Sequence, residues 1–176
     1  MNLAKKSCAM SAQQIILDHD KWRKGLGGAP AGLSGESDSN AYAGLDLDTA
    51  QFASSSFSGS SFSNTSFRRA NWTASRFEGC TFSACDFEAI AMADCVFTHC
   101  TFDGAQFGQS TLSGCQFLQC TWNDMNFDRG EWNDVKVLAC KGTTVRAHGL
   151  KGEQVDFTDS YFEQLEFEGA LLNNAV

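Results

Sequence analysis

The stretch Cys80–Gly104, CTFSACDFEAIAMADCVFTHCTFDG, carries the reading of the whole chain. Phe82, Phe87, Phe97 and Phe102 fall on one five-residue grid, with Met92 in its gap. Cys80, Cys85, Cys95 and Cys100 fall two residues earlier, with Ile90 in theirs. An amphipathic helix repeats every ~3.6 residues and a half-buried strand every second residue. A period of five is neither. Two inward residues separated by one outward residue match a short extended segment, and the rest of each pentad must turn the chain. That is a coil of short strands joined by tight corners, a β-solenoid.

Stepping outward from this stretch, the grid starts at Leu47 and runs through Phe52, Phe57, Phe62, Phe67, Trp72 and Phe77 to Val137. It then meets Gly142, Ala147 and Gly152, and recovers at Phe157, Phe162, Phe167 and Leu172. All 15 Phe of the chain lie on it, which makes the repeat the organising feature of the sequence. Small residues hold the position two before, among them Ala50, Ser55, Ser60, Thr65 and Ala70. Over 138–155 the sizes exchange: Cys140, Val145, Leu150 and Val155 stand where small residues belong. Because packing tolerates redistribution at constant volume, an altered coil is expected there, with a plain loop as the alternative.

The pentads CDFEA, ANWTA and MNFDR resemble the loose consensus of the pentapeptide-repeat family, with Phe in place of its Leu, and the resemblance covers residues 45–174. It implies an all-β solenoid: a right-handed quadrilateral β-helix with four pentads per coil. Cys80, Cys100, Cys120 and Cys140, twenty residues apart, would then share one column. At ~4.8 Å per layer, six and a half coils make a rod of about 31 Å. The Cys–x–Phe–x–x–Cys rhythm is similar to that of the Qnr-type quinolone-resistance proteins, which bind DNA gyrase and have relatives that imitate B-form DNA.

Two divisions are expected: a capping helix and Gly/Ser-rich connector over 1–44, and the β-helix over 45–176. Ser11 and Gln14 form a capping box. Ile15, His19, Trp22 and Leu26 share one face of a helix over 11–26, with His19 as a packed or capping residue. Leu33 is out of register with Leu47, so SGESDSNAYAG reads as a connector or a degenerate first turn. At the other end, Leu171 and Leu172 are the expected cap.

The net charge of −8 and pI of about 4.7 disfavour direct contact with nucleic acid or an anionic membrane. No apolar run approaches the ~20 residues of a membrane span and no secretory signal is legible. A cytoplasmic protein is expected, with export by a route lacking a cleaved signal left open. Seven of the 8 cysteines sit on the small inward register without a CxxC pair, which reads as reduced, buried filler. Cys8 lies apart and is the candidate reactive thiol. Neither a nucleophile with its base, nor a metal set, nor a phosphate loop is found, so no enzyme activity and no cofactor are expected.

Charge is the remaining signal. Residues 45–176 hold 17 acidic and 8 basic residues. Glu153, Asp156, Asp159, Glu163, Glu166 and Glu168 crowd the last coil. Just before them, Lys136, Lys141, Arg146 and Lys151 recur every five residues, one per face, as a collar or as balancing partners of those acids. These ten residues are the candidate partner-binding set. The expected function is a non-enzymatic interaction module, an acidic rod offering side-chain columns to a protein partner, of the kind found among effectors and secretion-associated proteins. The alternative is a DNA-mimicking binder of gyrase. A monomer or weak end-to-end dimer is expected.

Overall fold

The computed structural model describes residues 10–176. Helix Ala12–Arg23 is followed by short parallel strands wound into a solenoid. Each coil contributes one strand to each of three sheets and a bridge to a fourth face, except that the last coil gives the second face only the bridge of Asp156 to Lys136. The first face carries eight strands, from Gly32–Ser34 to Leu171–Asn173, so the chain completes about seven turns. The second runs from Ser37–Asp38 to Lys136–Leu138 and the third from Ala41–Ala43 to Tyr161–Glu166. On the fourth, single bridges join Asp46, Ser66, Asp86, Gln106 and Asn126 in a column that Arg146 and Glu166 continue. Coils repeat every 20 residues, as in the pairing of Phe52 with Trp72.

The corners follow one rule. The residue two after a grid position takes a left-handed conformation everywhere but at Thr144 and Gln164, and 18 of these residues are not glycine; Ser54 (φ 48°) and Arg69 (φ 56°) are examples. Left-handed backbone costs a non-glycine residue about 1–2 kcal/mol. Each corner is held by the next coil: the N–H of Ser54 donates to the Thr73 carbonyl at 3.0 Å. Inside, the grid residues stack in columns. Phe57, Phe77, Phe97 and Phe117 stand 4.7–4.9 Å apart, centre to centre, with rings within 9° of parallel.

The ladder starts at Gly32, so residues 31–44 form the degenerate first turn and not a connector. Leu33 pairs with Phe52 and Asp38 with Phe57, 19 residues on, whereas Tyr42 pairs with Phe62 at the usual 20. One residue is missing between Asp38 and Tyr42, which is why Leu33 looked out of register. Asp38 thereby takes a core position. Its carboxylate accepts from Tyr42 Oη (2.6 Å), Ser60 Oγ (2.7 Å), Asn40 Nδ2 (2.7 Å) and the Asn40 N–H (3.0 Å). Burial pushes this carboxyl up, but the four bonds together outweigh it and hold it below the usual carboxylate range.

The helix begins where expected, with the Ser11 hydroxyl accepting from the Gln14 N–H at 3.2 Å, and ends three residues short of Leu26. Its buried face is Ala12, Ile16 and His19, with Ile15 half-buried; Trp22 and Leu26 are exposed. The buried face is therefore rotated from the expected one, and it packs on the first two strands, over the first coil. His19 is a satisfied core residue. Its Nδ1 accepts from the Ala31 N–H (2.7 Å), which requires Nε2 to carry the proton donated to the Asp48 carbonyl (2.8 Å).

Residues 138–155 are a coil. Lys136–Leu138, Lys141–Arg146 and Lys151–Glu153 all pair in register with the coil before. The exchange of sizes works between coils. Gly142 lies above Trp122, and a β-carbon there would collide with the Trp122 carbonyl. Phe162 then stacks on Trp122 across that glycine, rings 5.5 Å apart. Gly152 similarly lies above Trp132, and Leu150 fills the space over Gly130. Thr144 and Gln164 are absent from the left-handed set, so the corner between third and fourth faces is straightened into two six-residue strands, Lys141–Arg146 and Tyr161–Glu166.

Candidate interaction surface

Outward positions flank every grid residue, so each face presents two rows of side chains at one-coil spacing. The fourth face is the charged one. Asp46 and Asp48 occupy its first coil, Arg68 the second, Asp86 and Glu88 the third, Asp128 the fifth, Arg146 and His148 the sixth, and Glu166 and Glu168 the seventh. The row is an alternating ladder. Arg68 reaches Glu88 (2.7 Å) and Asp86 (3.7 Å), and Arg146 reaches Asp128 (3.3 Å). Arg23, from the helix, extends it to Asp46 (3.1 Å) and Asp48 (3.7 Å). The acids also shape the corner, since Asp46 and Asp86 accept from the N–H two residues on. Exposed pairs of this kind contribute at most about 1 kcal/mol each.

The ten candidate residues ring the last two coils instead of forming one patch. Glu153 stands on the first face, Asp156 on the second, Asp159 on the corner after it, Glu163 on the third, and Glu166 and Glu168 on the fourth. Asp156 accepts from the N–H and hydroxyl of Thr158; these bonds, with the field of Lys136, hold it below the usual carboxylate range. The four bases stand one per face in the coil beneath. Lys136 lies under Asp156 and Arg146 under Glu166, but Arg146 makes its ion pair with Asp128, and His148 Nε2 lies 3.7 Å from Glu166. Lys141 lies under Tyr161 and Lys151 under Leu171, and among the described residues neither makes an ion pair. Sequence reasoning missed Tyr161 (71% exposed) and Leu165 (48%), and of the two leucines expected as a cap, Leu171 is 65% exposed and Leu172 half-buried. Leu165 sits at an inward position, and among the described residues no coil lies above it.

Two descriptions of one family match the sequence: "Pentapeptide repeat region" over residues 70–146 and "Pentapeptide repeats (8 copies)" over 46–83. Together they span more than half of the chain. The chain belongs to the pentapeptide-repeat family. No curated protein matches it in sequence. Among solved structures, full-length QnrB1, a plasmid-mediated fluoroquinolone resistance protein, is 17% identical, with 78% of this chain and 94% of that chain covered and a TM-score of 0.46. HetL, involved in heterocyst differentiation regulation in the cyanobacterium Nostoc sp. strain PCC 7120, is 14% identical, with 94% of each chain covered and a TM-score of 0.47. These values are too low to carry any role from those proteins to this one.

The pentapeptide-repeat core also explains the cysteines. Seven are buried free thiols; Cys8 lies outside the described residues. Cys80, Cys100, Cys120 and Cys140 do form one column. Each thiol lies 3.2–3.4 Å from a mid-strand carbonyl of the preceding coil, those of Phe57, Phe77, Phe97 and Phe117. Ser160 takes the next place in the column and donates to the Val137 carbonyl at 2.6 Å. Cysteine is thus a weak donor to a buried acceptor as well as a filler. Burial pushes the Cys85 thiol up to about 11, and a hydrogen bond to Cys120, with burial, pushes Cys100 up to about 12. Among the described residues no group of His, Cys, Asp and Glu could hold a metal ion, and no helix is long and apolar enough to cross a membrane.

Proposed function

We propose that this pentapeptide-repeat chain is a non-enzymatic interaction rod that docks a basic protein partner at its last coil. The observation that carries this reading is the make-up of residues 152–176: six acids, no Lys or Arg, and exposed Tyr161, Leu165 and Leu171 among them. Exposed apolar side chains bordered by charge are the composition of a docking surface. A DNA-like surface needs a row of carboxylates without bases between them. The fourth face interleaves Arg68 and Arg146 with its acids, which favours docking on a folded protein over replacing a duplex.

The test is affinity capture from an extract of the organism that encodes the chain, using the parent and the triple variant Glu163→Lys, Glu166→Lys, Glu168→Lys. A specific protein held by the parent, lost with the variant and released near 1 M salt, where the Debye length is ~3 Å, is the expected result. Identical capture by both proteins overturns the reading. A gyrase supercoiling assay separates the alternative: unchanged supercoiling and quinolone inhibition at saturating protein remove it.

A further inference from the structure

The strand Tyr161–Glu166 has one partner strand, Lys141–Arg146, and no strand on its other edge among the described residues. It is one of only two six-residue strands in a rod whose other strands have two or three. Length matters here. A three-residue edge offers too few backbone groups to hold another chain, whereas a long, flat, unpaired edge is a template for an added strand. The straightening that produced it is specific. At the five earlier corners between the third and fourth faces the chain bends through a left-handed residue, such as Asn64, Ala84 or Asp124, whereas at Thr144 and Gln164 it does not.

We infer that the free edge of Tyr161–Glu166 accepts a basic, extended segment of another protein as an added strand. The inference rests on the interaction reading above and names its mode. Charge selects the occupant. Glu163 and Glu166 belong to the strand, Asp159 and Glu168 flank it, and no base occurs after Lys151. Lysines or arginines of an incoming strand meet Glu163 and Glu166. Its apolar residues cover Leu165, which is half-exposed, and the rim of Phe162. A second copy of this chain is disfavoured, because edge-to-edge pairing sets Glu163 and Glu166 against their own counterparts, and like charges across a ladder destabilise it.

The experiment uses the full chain and two labelled eight-residue peptides: one alternating Val and Lys, the other of equal charge with Pro replacing two of the Val. Proline lacks the donor that an added ladder needs. Fluorescence anisotropy should show the first peptide binding at least about ten-fold more tightly than the second. The variant Glu163→Lys with Glu166→Lys should lose about ten-fold or more of that affinity with its melting curve unchanged. Hydrogen exchange should show new protection of amides within 161–166 when the first peptide is bound. Equal binding of the two peptides, no new protection, or dimerisation of the chain through this edge in sedimentation each overturn the inference. Acid-dependent capture of a host protein, with neither peptide binding, overturns strand addition while the docking reading stands. Loss of both overturns both.

Discussion

The coils from Leu47 to Val135 and the coil over 138–155 solve one packing problem in two ways. In the first region the coils nearly repeat one another: rings stack on rings except at Leu47, Met92 and Leu112, and the position two earlier is a small residue or thiol except at Ile90, Met125 and Val135. In the second, three grid positions are nearly empty: Phe162 stacks on Trp122 across Gly142, Leu172 and Val155 crowd Gly152, and Leu150 fills the space over Gly130. The difference teaches that core volume here is balanced along a column, between coils, more than within a pentad. At 144, and again at 164 in the next coil, the left-handed residue is absent and the chain straightens.

The largest expected effect lies in the regular region. Phe97→Ala removes a ring stacked between Phe77 and Phe117 and should cost about 3–5 kcal/mol in a urea melt. A loss under ~1 kcal/mol would mean that the columns relax, and the comparison would fail. In the exchanged coil, addition should hurt instead of removal. Gly142→Ala drives a β-carbon into the Trp122 carbonyl and should cost about 3 kcal/mol or more. Gly152→Phe should also destabilise, and the partner that relieves it tells which account of volume is right. A β-carbon at 152 lies 2.6 Å from Leu172 Cδ2 and 2.8 Å from Val155 Cγ2, while Leu150 sits over Gly130. Leu172→Ala should therefore recover on the order of 1 kcal/mol and Leu150→Ala should not. The reverse result would place the balance within the pentad.

A third kind of filling, polar, occurs in the first coil, and pH sharpens the contrast. Asp38 is held below the ordinary carboxylate range in the folded protein. Its contribution is therefore present above the unfolded value of ~3.9 and is lost as pH falls through the folded value. Melts of the parent and Asp38→Asn should differ most near neutral pH and converge below about pH 4; a gap that widens in acid contradicts the pairing. Smaller still is the thiol effect. Cys100→Ser keeps a donor for the Phe77 carbonyl and should be less damaging than Cys100→Ala, by about 1 kcal/mol or less. Arg146→Gln on the charged ladder should cost under ~1 kcal/mol, and less at high salt.

How much was legible follows from which distances the primary sequence encodes. The five-residue register of Phe and Cys determined a solenoid of short strands, because only an inward residue must be apolar in every repeat. The same register placed the acidic ring and the collar one per face, and the capping box placed the start of the helix. The sequence did not show the first coil, because one missing residue between Asp38 and Tyr42 breaks the register while leaving the ladder intact. It also did not show why Gly142 and Gly152 are tolerated, since their compensating tryptophans lie twenty residues away and meet them only once the chain has wound a full turn. The helix face was misread because which side of the helix is buried is set by the first coil it covers, through contacts such as His19 with Ala31 and Asp48, and not by period alone. The free six-residue edge was invisible for a related reason: whether a strand has a neighbour is a property of the stacked coils, and no local pattern of side chains records it.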